Sequence, residues 1–160
     1  MDLLVNLYDV RSDPELERRI GAQQVVVRRA LAPELAIVRD WIARRFRPGW
    51  DSEAQVAMGR QPSACFIAVR DRELLGFACY DAIALGMFGP TGVDEGARGL
   101  GVGKSLLIRT LVAMRDQGYA YGVIGGAGPV EYYVRAVGAI PIVGSEESIY
   151  SGILVPGSDR

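Results

Sequence analysis

Apolar and polar positions along the chain switch between a period of two and a period of three to four, and the switches mark the elements. Residues 3–8 read as a short strand. Asp13, Pro14 and Glu15 then supply a capping acid, a proline at the first helical position and an early acid, so a short helix follows. Val25, Val26 and Val27 open the main body of the chain. From Ala32-Pro33-Glu34 a second helix is expected, in which Leu35, Val38, Ile42 and Phe46 recur every three or four residues while Arg39, Arg44 and Arg45 fall largely elsewhere. One face of it should pack on a sheet. Pro48-Gly49 stops it, and Asp51-Ser52-Glu53 caps a further helix running to about Arg60.

Residues 65–69 and 73–80 have strand pattern on either side of Asp71-Arg72. A three-residue loop, Asp71 to Glu73, would set Val69 opposite Leu75, Ile67 opposite Phe77 and Cys65 opposite Cys79. Residues 85–93 read as a strand that three glycines and Pro90 must bulge or bend, leaving part of it poorly paired. Residues 101–117 form a strong helix with Leu107, Leu111 and Met114 on one stripe and Gly118 as its stop. A short buried strand at 121–124, a helix at 129–137 and two final strands at 140–143 and 149–155 complete the prediction. No repeat, linker or low-complexity tract divides the chain, so a single domain over residues 1–160 is expected.

Composition narrows the chemistry. The 160 residues are 49% hydrophobic and 23% charged, an ordinary globular balance, and 18 Lys+Arg against 19 Asp+Glu leave a net charge of -1. No global field exists to hold a polyanion, so nucleic-acid and membrane-surface binding are not expected. The absence of histidine removes Ser-His and Cys-His mechanisms, histidine bases and nearly all common catalytic zinc sites, and no metal is expected. The first residues lack the basic region and long apolar core of a signal peptide, and no apolar run approaches membrane-spanning length, so a cytoplasmic location is expected. Cys65 and Cys79 have no CxxC spacing and read as small reduced hydrophobes. Glycine is the outlier: 12 of the 20 fall from Gly86 to Gly128, where backbone must bend sharply or approach something closely.

Within that stretch, Arg98-Gly99-Leu100-Gly101-Val102-Gly103-Lys104-Ser105 sits between an expected strand and an expected helix, where free N–H groups and the helix dipole favour an anion. The P-loop signature fails because Arg98 stands where it needs glycine. The dinucleotide signature GxGxxG started at Gly101 fails because it needs glycine at Leu106, and it fails from Gly99 as well. What fits is Arg98-x-x-Gly101-x-Gly103 after Val93-Asp94-Glu95-Gly96-Ala97. Residues 93–104 resemble the coenzyme A pyrophosphate loop of the GNAT superfamily of N-acetyltransferases, and the order of elements over residues 25–155 is similar to that fold. The first 24 residues would be an additional strand and helix.

The resemblance implies an α/β (α+β) fold with a mixed, mostly antiparallel central sheet, splayed fourth and fifth strands and flanking helices. It implies acetyl-CoA as acetyl donor, with the N–H groups of Gly99, Leu100, Gly101, Val102, Gly103 and Lys104 on the pyrophosphate and local charge from Arg98 and Lys104. The pantetheine arm would pair with the backbone of Thr91 and Val93, and the Val93 N–H would polarise the thioester carbonyl. Residues 132–139 resemble the late motif of the family, in which a tyrosine acts as general acid toward the departing thiolate; Tyr133 takes that role, with Tyr132 as competitor. A bacterial subset of the family shares the spacing of four residues between this tyrosine and Gly138-Ala139. The asparagine often found early in this helix is absent, Gly128-Pro129 occupying the region.

The acceptor implied is a primary amine of a small molecule, attacked directly in a ternary complex. The proton from its ammonium could go to Asp81, Glu53, Glu146 or Glu147, or to a water chain without a dedicated base. Trp41, Trp50 and Glu53 lie near the acceptor wall of similar proteins. Two other readings stay open: a noncatalytic acetyl-CoA or coenzyme A sensor, and a nucleotide-binding protein using Gly103-Lys104-Ser105. Dimerisation is common in similar proteins, and nothing in the chain decides whether a homodimer forms.

Overall fold

A computed structural model describes residues 1–157. Seven strands form one sheet in the order β2-β3-β4-β5-β6-β1-β7, with β1 at Leu3–Asn6, β2 at Val26–Arg29, β3 at Cys65–Arg70, β4 at Glu73–Tyr80, β5 at Met87–Val93, β6 at Tyr121–Ile124 and β7 at Ile140–Pro141. Every pairing is antiparallel except β5 with β6. The helices are α1 at Pro14–Ala22, α2 at Leu35–Arg45, α3 at Trp50–Met58, α4 at Val102–Gln117 and α5 at Val130–Val137.

Local chemistry explains most boundaries. The Asp13 carboxylate accepts from the Leu16 N–H at 3.0 Å and caps α1. Ala32–Glu34 is a 3-10 turn that leads into α2, and α3 starts at Trp50 behind Gly49, one residue before the acids expected to cap it. The β3–β4 hairpin turns on Asp71 and Arg72 alone, both with positive φ, the geometry that matches the twist of the strands. Cys65 faces Cys79 and Ile67 faces Phe77 as expected, but a bulge after Ala68 brings Val69 opposite Leu74, not Leu75.

Alternation along β4 sorts the two faces of the sheet. Phe77 points to α2 and α3, where Trp41, Phe46 and Trp50 gather around it at ring-centroid distances of 5.7 to 6.3 Å. Gly76, on the other face, leaves room for Leu106 of α4; a Cβ there would stand 3.0 Å from the leucine methyl. Leu106, Leu107, Leu111 and Met114 are buried beneath α4, and α1 lies against its outer side.

Two features depart from expectation. The strand read as an addition to the N-terminus lies inside the sheet: Leu3 pairs with Ile124 of β6 and with Pro141 of β7. Residues 149–155 form no strand. β1 already occupies the ladder beside β6, β7 is cut short at Pro141, and Gly144 turns the chain away with φ of +85°. Residues 148–153 fold instead toward α3. Among the described residues no helix is long and apolar enough to cross a membrane.

Candidate functional site

The glycine-rich turn between β5 and α4 exposes backbone donors. Asp94 holds a 3-10 turn at Glu95–Ala97, its side chain accepting from the Gly96 N–H at 3.2 Å. Gly99 and Gly101 follow with φ of +82° and +89°. A Cβ on Gly101 would stand 2.7 Å from both Leu16 and the Arg19 guanidinium of α1. The first α4 bond runs from the Ser105 N–H to the Gly101 carbonyl, so the N–H groups of Val102, Gly103 and Lys104 have no intrahelical partner. Among the described residues no other backbone carbonyl takes them. Arg98 is exposed beside this turn and Leu100 is half-buried. Lys104 is committed, its Nζ 3.5 Å from the Asp13 carboxylate, which the Leu16 N–H, and then Lys104, hold below the usual carboxylate range. Sequence reasoning missed Arg19 as a cation here; only its place on the polar side of α1 hinted at it.

Beyond this turn the sheet opens. β6 meets β5 only at Met87–Val123 and Phe88–Ile124. Gly89 and Pro90 then form a bulge, with Gly89 at φ of +121°. The Asp94 N–H donates across β4 to the Leu75 carbonyl at 2.8 Å, so alternation turns the backbone groups of Val93 and Thr91 away from β4, toward the unpaired side. The Thr91 hydroxyl donates back to the Phe77 carbonyl at 3.0 Å.

A cavity of about 770 Å³ lies at this opening. Its walls come from Trp50, Glu53 and Val56 on α3, from Gly89, Pro90 and Thr91 on β5, from the glycine-rich run after β6, from Tyr133 on α5, and from Ser148, Tyr150 and Ile153. Tyr133 is 7% exposed and its hydroxyl has no protein partner among the described residues. Burial, with some help from neighbouring Tyr132, pushes its pKa up to about 12. Tyr132 is 40% exposed and does not line the cavity. The Tyr150 hydroxyl donates to Glu53 Oε1 at 2.9 Å. Burial raises the Glu53 carboxyl above the ordinary glutamate range, and that hydrogen bond opposes the rise. Nothing in the local pattern around Tyr150 marked it; the glycines at 125, 126 and 128 did signal a close approach.

The structure therefore brings Thr91 and Tyr133 to one cavity and sets Val93 and residues 98–104 outside it. Lys104 instead lines a second cleft of about 530 Å³ with Ser12, Asp13 and Ile108, closed by Ala136 and Val137 of α5. The remaining acids separate clearly. Asp81 is fully buried and accepts from the Gly86 N–H at 2.7 Å and the Tyr119 hydroxyl at 3.1 Å, pinning the turn before β5. Glu146 and Glu147 are exposed and off the cavity wall. Trp41 packs on Phe46 and Phe77 under the Arg45 guanidinium, and only Trp50 of the two tryptophans reaches the cavity. Cys65 and Cys79 are free and fully buried, and burial raises the Cys79 thiol.

A model of the acetyltransferase (GNAT) family matches residues 35–127. Among curated proteins nothing matches the chain. Among solved structures it is similar to a unique GCN5-related glucosamine N-acetyltransferase region of a fungal multi-domain β-N-acetylglucosaminidase, with 16% identity and a TM-score of 0.70, over 85% of this chain and 19% of that one. The GNAT family N-acetyltransferase YhbS from Escherichia coli, in complex with CoA, is 20% identical over 59% of this chain and 58% of that chain, with a TM-score of 0.45. A functionally unknown conserved protein from Staphylococcus epidermidis is 14% identical over 87% and 56% of the two chains, with a TM-score of 0.49. This chain thus spans less than two thirds of the length of each, and the likeness to the first is one of fold.

Proposed function

The chain belongs to the GNAT family of acetyltransferases, and from that premise we propose that it transfers the acetyl group of acetyl-CoA to a primary amine of a small molecule, by direct attack with both substrates bound. The observation that carries this reading is the divergence of β5 from β6 after Phe88. It leaves an unpaired strand edge near a helix N-terminus with free N–H groups on one side and a cavity holding a buried tyrosine on the other.

Each residue then has a physical task. The N–H groups of Gly99 to Lys104 bind the pyrophosphate at the positive end of α4, with Arg98 and Arg19 adding charge and Lys104 sharing its charge with Asp13. Thr91 and Val93 offer backbone groups to the pantetheine amides as an adjoining strand would, and the Val93 N–H polarises the thioester carbonyl. Tyr133 donates its proton to the leaving sulfur. A pKa of about 12 keeps the phenol protonated at neutral pH. Taken alone it is a weaker acid than a thiol of about 8.5, but the burial that raises the phenol also penalises the thiolate, which narrows the gap as the carbon–sulfur bond breaks.

Thermal stabilisation by acetyl-CoA, coenzyme A, ATP and NAD in parallel tests the reading, because a ligand that binds only the folded state raises its apparent stability. Acetyl-CoA and coenzyme A should stabilise; stabilisation by ATP alone overturns the proposal. Tyr133→Phe should lower turnover about 10²-fold or more, in line with loss of a general acid, while leaving acetyl-CoA stabilisation intact. Acetyl-CoA binding with no coenzyme A release from any amine would favour the sensor reading.

A further inference from the structure

We propose, building on the acetyltransferase reading, that Glu53 is the ammonium site and first proton acceptor for the amine, held in position by the Tyr150 hydroxyl, and that the acceptors are compact monoamines entering as cations. The starting observation is a missing partner. Most other partly buried carboxylates have a cation: Glu34 has Arg28 at 2.6 Å, Asp51 has Arg39 at 3.0 Å and Asp94 has Arg45 at 2.8 Å, while Asp2, which has none among the described residues, accepts from the Gly126 N–H at 2.8 Å and lies off the cavity wall. Asp81, fully buried, has a backbone N–H and a phenol. Glu53 is half-buried, has no cation among the described residues, and receives one hydrogen bond, from Tyr150. A carboxylate can accept several more donors, and leaving it half-buried without them is costly. A cation brought by the ligand would supply what the protein leaves out.

Position agrees with that role. α3 turns Ala54, Ala57 and Met58 into the core and directs Trp50 and Glu53, three residues apart, to the cavity. Glu53 is the only carboxylate on that wall among the described residues, and it shares the cavity with Tyr133 and Thr91. Trp50 offers an aromatic surface to the carbon body of an amine. Arg47, exposed on the wall and in no ion pair among the described residues, disfavours a second positive charge on the acceptor. The bond from Tyr150 spans 97 positions of sequence and fixes one carboxylate oxygen, which leaves Oε2 for the ligand.

The proton balance closes. The ammonium docks on Glu53 and passes one proton to it, giving the free amine and a neutral carboxylic acid. The nitrogen lone pair forms the bond to the thioester carbonyl carbon as the carbon–sulfur bond breaks, and the sulfur takes the Tyr133 proton. The tyrosinate recovers a proton from the acylated nitrogen, and Glu53 returns its own to water. Ammonium and thioester thus become amide, thiol and one proton. The amide is neutral and no longer attracted to Glu53, which favours its release. Burial of Glu53 raises its basicity, so the first transfer is less uphill than to a solvated glutamate.

The test measures coenzyme A release with butylamine, glucosamine, spermidine and aniline, the last uncharged at neutral pH. The wild type should turn over an alkyl or sugar monoamine faster than spermidine. Glu53→Gln should raise KM for that monoamine at least about tenfold, and should lower kcat/KM for it at least about tenfold more than for aniline. Equal effects on both acceptors, or none, overturn the proposal. Tyr150→Phe should move the acid limb of the kcat/KM profile to higher pH, because Glu53 loses a bond that favours its charged form; the titratable groups around the pair are Tyr150 itself, Cys79 from β4, Asp2 from the N-terminal segment, which acts on Tyr150, and Arg47 and Tyr133, which share the cavity. An unmoved limb overturns the positioning role and decides the matter even if Glu53→Gln fails to fold. Both variants should keep wild-type stabilisation by acetyl-CoA. A wild type that acetyl-CoA stabilises but that acetylates no alkyl or sugar monoamine overturns the acceptor assignment alone, whereas absence of acetyl-CoA stabilisation overturns the broader reading.

Discussion

The two halves of the sheet are built from opposite kinds of sequence. β2 to β5 come from one stretch and are held by long antiparallel ladders, bulged after Ala68 and at Gly89-Pro90, with α4 on one face and an aromatic cluster on the other. β6, β1 and β7 come from residues 121–124, 3–6 and 140–141, and are joined to the first half by two register pairs. The first half gives a rigid wall. The second leads into α5 and the glycine-rich run, and it meets the first in so few residues that the cavity forms where the two part. The candidate site lies at this seam, where backbone groups left unpaired by the sheet stay in reach of a ligand.

That contrast can be broken most severely through Leu3, fully buried in β1. Leu3→Ala should cost about 3 kcal/mol of stability, within the usual range for such truncations, and should lower turnover as β6 and α5 lose support. Leu111→Ala, equally buried under the first half, should cost a similar amount while leaving the turnover of the folded fraction unchanged. Urea unfolding paired with coenzyme A release separates the two outcomes, and equal effects on turnover would remove the distinction between the halves.

A smaller effect is expected on the first half at Gly92, whose added Cβ would stand 2.5 Å from the Phe46 ring. Phe46 stacks on Trp50 at 5.5 Å, so the ring has little room to yield. Gly92→Ala should cost about 2 kcal/mol by overpacking. Adding Phe46→Leu should recover part of the loss in a double-mutant cycle; strict additivity would show that the ring is not the obstacle.

The smallest effect concerns the wall at the seam and has the opposite sign. Because burial raises the Glu53 pKa in the folded chain, folding takes up protons between the unfolded glutamate value and the raised folded one. Stability on this account falls as pH rises through that window and stays lower above it. Glu53→Gln should therefore raise the melting temperature slightly at neutral pH and lose that advantage below the window. A melting temperature that drops at neutral pH would mean that Glu53 serves the fold through Tyr150 more than it burdens it.

Elements with a strong local signal were legible in the sequence. The Asp13-Pro14 start, the α4 stripe, the Cys65–Cys79 facing pair and the disturbed strand around Pro90 all follow from rules that act over a few residues. Residues 149–155 have the right apolar composition for a strand, but a strand exists only where a ladder is free, and β1 had taken that place. The same long-range substitution hid Tyr150, whose partner Glu53 is 97 positions away. For the acids, the sequence offered four; burial and bonding separate them, since Asp81 is spent on a turn, Glu146 and Glu147 face outward, and Glu53 alone reaches the cavity. Tyr133 and Tyr132 divide in the same way, by which side of α5 each occupies.

The insertion of β1 between β6 and β7 sets an order of assembly. Residues 3–6 leave the ribosome well before their neighbours at 121–124 and 140–141, which are made more than a hundred residues later. The hairpin at 65–80 closes a short loop and needs nothing from either end of the chain. During synthesis the nascent protein therefore carries an unmatched N-terminal strand for most of its length, and the pocket is the last part to be completed. A ribosome stalled before residue 121 would hold a chain with its hairpin formed and its candidate cleft still missing a wall.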